Sequence, residues 1–274
     1  MQGPLAQMVA LVCHGNAVLR GHPAGPFLRA NSTCQFCESV TFVAGGRSES
    51  GEPETTTLAE SPDRWLEFLP HRAITGLRLV EQSRNDARIT DRMSTGFVGG
   101  GRQWKVEGLR QAGSSEFWLS RWEAHDREAK DRRIWNVTYG LVDLTATTPL
   151  ETRSLEAIIG DLRPALSEIR RFAEEHQCGG FTGCFDDALR ALDDPRADIG
   201  YHKDLYPQGF VCDAAQSILK AAMSAWVFGG MGSWNDMSFD GDTEREHSER
   251  SDRLFNLLNE GIAAAASSTF PSAA

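Results

Sequence analysis

The chain has no apolar run long enough to cross a bilayer. Stretches such as Met8 to Val12 and Ala221 to Phe228 fall well short of the roughly twenty residues a spanning helix needs. Met1 to Leu19 carries no Lys or Arg, so Leu5 to Val12 lacks the basic flank of a secretory signal, and a cytoplasmic location is expected. The six cysteines follow no regular spacing and a chain of 274 residues needs no disulfide staples, so reduced thiols are expected. The phosphate-loop signature ending in Gly-Lys-Ser/Thr, the Gly-x-Ser-x-Gly elbow and the calcium loop with its fixed Gly and terminal Glu are all missing, as is any internal repeat. No cofactor or metal is expected from these absences.

A hydrophobic content of 41% and a chain of this length suit a folded molecule that buries roughly three quarters of its unfolded surface. The net charge of −10 is unevenly placed: −2 for residues 1–60, +2 for 61–150 and −10 for 151–274. An acidic C-terminal part repels phosphate backbones and attracts basic proteins, which argues against nucleic acid as a partner. Solubility alone is the simpler reason for any single charge.

Along the chain, residues 7–43 read as short apolar runs separated by turn residues, ending in the β-type run Val40 to Val43. Residues 47–60 read as an exposed loop. Ser61-Pro62-Asp63 is a helix start, with a capping Ser, a Pro at the first position and an acid at the positive end of the dipole. Gly76 to Val80, Trp104 to Glu107, Phe117 to Trp122 and Ile134 to Tyr139 alternate like strands of a sheet with one wet face, with Asp126 to Arg133 as a hairpin loop. After Pro149 the period turns helical: Leu155, Ile158, Leu162, Leu166, Ile169 and Phe172 share one face, with Pro164 expected to kink or divide the helix and Gly179-Gly180 to stop it. Three further helices are expected over 181–192, 210–228 and 248–266. The fold class is therefore α+β, a mostly antiparallel sheet in residues 1–148 followed by a helical acidic part in 149–274, either as two units or packed as one.

Several clusters carry chemistry on paper. Cys34-Gln35-Phe36-Cys37 with Cys13, His14 and His22 upstream offers soft zinc ligands, though a run leading straight into a strand favours small buried cysteines and argues against a thioredoxin-type dithiol. Cys178 to Cys184 reads as a helix stop and start with two thiols. Gly96 to Arg102 reads as a glycine hairpin or bulge before a nucleotide loop, because a strand follows it. His14 and His202, with Asp204, lack an evident nucleophile.

Ala225-Trp226-Val227-Phe228-Gly229-Gly230-Met231-Gly232-Ser233-Trp234-Asn235-Asp236 is the densest motif, suiting either a recognition loop or a tight buried corner between helices. The carboxylates of Asp236, Asp240, Asp242, Glu244, Glu246 and Glu249 then read as a solvated acidic loop before the last helix. The segment from Phe228 to Asp236, with its acidic loop and final amphipathic helix, resembles the ending of small bacterial proteins of unknown function, some of immunity type. That resemblance implies a bacterial cytosolic protein that blocks a toxin by binding, and it brings no catalytic residues with it. The leading expectation is a binding protein for a basic partner through Trp226, Trp234, Asp236, Asp240 and Asp242. The alternative is an enzyme with its site between sheet and helical part, using some of His14, Cys34, Cys37, Arg102 and His202; convergence of those residues in space decides for or against it.

Overall fold

A computed structural model describes the chain except residues 24, 28, 48–51, 85–88, 98, 111–113, 147–152 and 271–274. It opens with helix α1 (Gly3–Leu19), where short apolar runs were expected. Every residue from Leu5 to Ala17 is buried, so the helix has no wet face and no amphipathic period by which to recognise it. It packs against β3 (Ile74–Gln82), β4 (Gln103–Arg110), α2 (Pro62–Phe68) and α7 (Gly241–Ser267). α2 starts as its sequence dictates, the Ser61 hydroxyl accepting from the Arg64 N–H at 3.2 Å.

β1 (Cys37–Arg47), β2 (Pro53–Ala59), β5 (Ser114–Ala124) and β6 (Trp135–Ala146) complete one sheet in the order β2-β1-β6-β5-β4-β3. All neighbours are antiparallel except β1 and β6, which run parallel. β2 replaces part of the exposed loop expected over 47–60: its Thr55-Thr56-Thr57 run is β-branched and pairs with β1, a signal masked by the polar residues around it. Trp65 and Tyr139 both stack on Phe42 in the core of this part, with Phe42 and Trp65 ring centroids 4.6 Å apart, and Trp118 meets Phe42 and Trp65 edge-on.

β3 is an edge strand, and its free backbone groups are answered by side chains. Asn16 Nδ2 donates to the Leu77 carbonyl (2.9 Å) and Asn16 Oδ1 accepts from the Leu77 N–H (2.7 Å). Two residues on, Ser267 Oγ accepts from the Leu79 N–H (3.0 Å) and donates to its carbonyl (3.3 Å). α1 and α7 thus do for β3 what a seventh strand would do.

The helical part consists of α4 (Leu155–Glu175), α5 (Gly179–Asp193), α6 (Asp213–Ala225) and α7. Pro164 lies inside α4 without dividing it, and Gly179-Gly180 begin α5 instead of stopping α4. The acidic loop expected before the last helix is helix already, because α7 starts at Gly241. Asp242 and Glu244 occupy its first turn, and Arg245 pairs with Asp242 (2.9 Å) and Arg250 with Glu246, which lets so acidic a stretch coil. Buried side chains form one continuous cluster from α1 and the sheet into these helices.

Trp234 sits at the centre of the helical part, fully buried, its Nε1 donating to Ser251 Oγ at 2.7 Å and its ring edge-on to Phe181 and Phe185. Trp234→Ala is expected to lower stability by about 3–5 kcal/mol, read as a lower urea midpoint at unchanged slope. A loss under 1 kcal/mol, roughly the scale of an exposed substitution, would contradict this packing.

Candidate binding cleft

Strand alternation puts Trp104 on the same face as Val106, Trp122 on that of Trp118, and Trp135 on that of Val137. Val106, Trp118 and Val137 are buried under the helices, whereas the three outer tryptophans floor an open cleft of about 1070 Å³. The facing walls are the first turns of α1, Ser32, Thr33 and Gln35 to Cys37, the residues Thr95, Gly96, Phe97, Gly99 and Gly100, Tyr201-His202, and Trp226 with Phe228, Gly229 and Gly230. The chain's seven tryptophans divide cleanly: Trp65, Trp118 and Trp234 are wholly buried in the core, while the half-buried Trp104, Trp122, Trp135 and Trp226 all line this cleft. Trp122 and Trp135 meet edge to face at 6.1 Å. Among the cleft residues Phe36, Phe97 and Tyr201 are exposed large apolar side chains, and the fully exposed Met231 follows Gly230 at its edge.

The 226–236 motif therefore serves both roles that were open for it. Trp226 faces the cleft and Trp234 is a core residue, so Trp234 presents no ring to a partner. Gly229, Gly230 and Gly232 all have φ near +80 to +90°, which no β-carbon tolerates readily. A Cβ on Gly229 would also lie 3.0 Å from the Thr95 carbonyl oxygen, so the corner clamps onto the 91–101 segment. Asp236 is exposed but occupied: its carboxylate accepts from the backbone N–H groups of Gly232 (2.6 Å) and Ser233 (3.0 Å). Asp240 and Asp242 are exposed at the start of α7.

Of the residues weighed for an enzyme, Cys37, Arg102 and His202 line this one cleft. Arg102 is engaged, with Nη1 2.5 Å from Glu81 and Nη2 donating to Asn256 Oδ1 at 2.7 Å. His14, His202 and Asp204 do meet, and Ser32, which has no local sequence signal, joins them. The Ser32 hydroxyl lies 2.7 Å from His202 Nδ1 and in a short hydrogen bond to Asp204, whose other oxygen accepts from the Ser32 N–H at 2.7 Å. His14 Nε2 and Asn31 Nδ2 both reach the Asp204 carbonyl oxygen, at 3.0 and 2.9 Å.

The order of this chain decides its chemistry. A carboxylate only accepts, so the single Ser32 proton goes to Asp204 and His202 Nδ1 must be the protonated nitrogen that donates to Ser32 Oγ. The serine stands between histidine and aspartate, the reverse of a hydrolase triad, in which the histidine bridges. The Thr33 N–H is already held by Asn31 Oδ1 at 3.0 Å. The cluster is a polar clip that fixes the 31–34 and 202–204 segments and leaves a neutral imidazole at the wall of the cleft.

Cys13 lies apart from Cys34 and Cys37, its thiol bonded to Thr269 and pushed up to about 12 by burial. His22 is exposed and packs against Phe210. Among the described residues no three His, Cys, Asp or Glu side chains gather as a metal-holding set. No described helix is long and apolar enough to cross a membrane.

Burial is the main cause that lowers the pKa of His14, His202 and His247 below the ordinary value of 6.5. Their unfolded forms bind protons first, so the stability these neutral rings contribute is complete above about pH 6.5 and is lost as pH falls below it. Urea midpoints are expected to drop between pH 7.5 and pH 5.5, and the slope to flatten in His247→Phe; an unchanged midpoint across that range would contradict the burial of these rings. No family model, curated protein or solved structure matches the chain.

Proposed function

We propose that the protein binds a small, flat, largely apolar organic molecule in the cleft floored by Trp104, Trp122 and Trp135 and walled by Trp226. The observation that carries this reading is the division of the tryptophans, with every half-buried one on the same concavity. A cleft of this volume with mainly apolar lining and a few convergent polar groups suits a small ligand, and part-exposed indoles gathered on one concavity otherwise cost solubility for nothing. Stacking on the indole faces supplies affinity, and the neutral His202 ring and the Ser32 clip supply an edge to orient against. This is the site of the enzyme alternative, but the polar groups assembled there suit recognition more than acyl transfer.

The test is quenching of tryptophan fluorescence by a panel of planar aromatic probes. Saturable quenching is expected, with Trp122→Ala and Trp226→Ala each weakening the tightest probe by about tenfold or more, the loss of one aromatic anchor. Linear, unsaturable quenching by every probe, or an affinity in both variants unchanged from that of the unsubstituted protein, would sink the reading.

A second reading rests on a separate observation, the exposure of Asp236, Asp240 and Asp242 on the most acidic part of the chain. On that surface the protein would be a bacterial cytosolic binder of a basic partner, of the immunity type its C-terminal segment resembles, with carboxylates steering the encounter. Capture of a basic protein from the host lysate should then vanish in an Asp236→Asn, Asp240→Asn, Asp242→Asn variant and weaken as salt screens the charges. Capture that survives both changes would exclude this surface.

A further inference from the structure

The cleft is opposite in charge to the chain that forms it. The protein carries 38 Asp and Glu against 28 Lys and Arg, yet the described residues lining the cleft include Arg84, Arg102 and Arg121 and no Asp or Glu. Two of these arginines are answered from outside the lining, Arg102 by Glu81 (2.5 Å) and Asp91 (3.8 Å), and Arg121 by Glu123 (2.9 Å). Arg84 is held differently. The Asp91 carboxylate accepts from its backbone N–H, at 3.0 and 3.2 Å, while its guanidinium donates through Nη1 to the Gly99 carbonyl at 2.9 Å. That bond anchors one corner of the guanidinium to the cleft wall. Nε and Nη2, the edge that takes a carboxylate through two parallel bonds, have no partner among the described residues.

Arg84 follows β3, on the Trp104 side of the three floor tryptophans. On the Trp135 side, Arg132 lies over the ring of the lining residue Phe36, 5.2 Å from its centroid, and it too has no carboxylate partner among the described residues. Its charge adds to the same positive field without touching the floor. The indole N–H groups of Trp122 and Trp226 are buried and have no acceptor, so the lining has a surplus of donors as well as of positive charge. The first turn of α1, on the facing wall, is the positive end of a 17-residue helix and carries no acid. Indole faces also attract cations, but a cation entering this cleft would meet three guanidinium groups and no lining carboxylate.

Given that the cleft takes a small planar molecule, as proposed above, we infer that this molecule is an aromatic carboxylate, its rings on the indoles of the floor and its carboxylate on the free edge of Arg84. Stacking then supplies most of the affinity, and the guanidinium fixes which end of the ligand points toward the 95–100 wall.

Three probes with one ring system separate the ring from the charge: 2-naphthoate, 2-naphthamide and 2-naphthylmethylammonium, titrated calorimetrically into the full chain near neutral pH, where the first is an anion and the last a cation. 2-Naphthoate is expected to bind about tenfold or more tightly than 2-naphthamide, the scale of charge-assisted hydrogen bonds, with the ammonium probe weakest. Arg84→Gln is expected to bring 2-naphthoate down to the affinity of 2-naphthamide and to leave 2-naphthamide unchanged. Arg84→Lys, which keeps the charge and loses the fork, is expected to fall between. Raising salt from about 0.05 to about 0.5 M should weaken 2-naphthoate and not 2-naphthamide. Saturable binding of all three probes with equal affinity, tightest binding by the ammonium probe, or a preference for 2-naphthoate that survives Arg84→Gln would overturn the inference and leave the small-molecule reading standing. Saturation by none of the three would remove both.

Discussion

Everything in this molecule is arranged around the need to cover α1 on all sides. An α-helix buried from Leu5 to Ala17 cannot lie on a surface, so the sheet must pack on it from one direction and α7 from another. Asn16 is the residue that ties these together. Its amide closes a two-point hydrogen bond with the edge backbone of β3 and a third, at 2.8 Å, with Thr269 just beyond α7. Gly15 beside it leaves the room for that approach, since a Cβ there would lie 2.3 Å from Leu77 Cδ1. The first helix, the edge strand and the last helix are thereby one mechanical unit, though 253 positions separate Asn16 from Thr269.

The cleft is a by-product of that arrangement put to use. The tryptophans at positions 104, 122 and 135 continue the core face of β4, β5 and β6 beyond the fully buried Val106, Trp118 and Val137. What would be an aggregation-prone apolar floor is instead enclosed by the α1 N-terminal turns and the glycine corner after α6. The corner holds its shape through backbone conformations open to glycine and through Arg92, whose guanidinium reaches Asp252 (2.6 Å), Asn235 (2.9 Å) and Ser248 (3.2 Å). The motif from Phe228 to Asp236 is thus chiefly a device for closing the helical part onto the sheet.

Around one wall of the cleft, the short segment 31–37 collects a dense set of buried polar contacts. Asn31 and Ser32 are bonded to Asp204, Ser32 to His202, and Cys34 and Cys37 to Gln7. The partners come from two distant parts of the chain, α1 and the 202–204 segment. Ordering so many side chains on seven consecutive residues is costly in conformational entropy, and the cost is offset by leaving almost no buried donor or acceptor in that segment unanswered.

The sequence by itself determined the elements whose patterns are periodic and local. The strands around Leu77, Val106, Trp118 and Val137, the helix start at Ser61, the buried face of α4 and the α+β class were all legible, because alternation and 3.6-residue spacing report which side of an element is wet. Where no side was wet, or where polar residues hid a pairing, the pattern was silent: α1 has no polar face to set its period, β2 looked like a loop until β1 lay beside it, and the acidic start of α7 was read as solvated coil because its Arg245 and Arg250 pairs exist only once the helix forms. The candidate site shows the same division. Trp226, His202, Cys34 and Cys37 stood out by type, but only tertiary structure decided that Trp234 is core and Trp226 a half-buried wall of the cleft, that Ser32 stands between His202 and Asp204, and that Gln7 reaches two thiols. Those outcomes depend on contacts between residues far apart along the chain, and no local spacing encodes which distant groups a packed interior will bring within a hydrogen bond of each other.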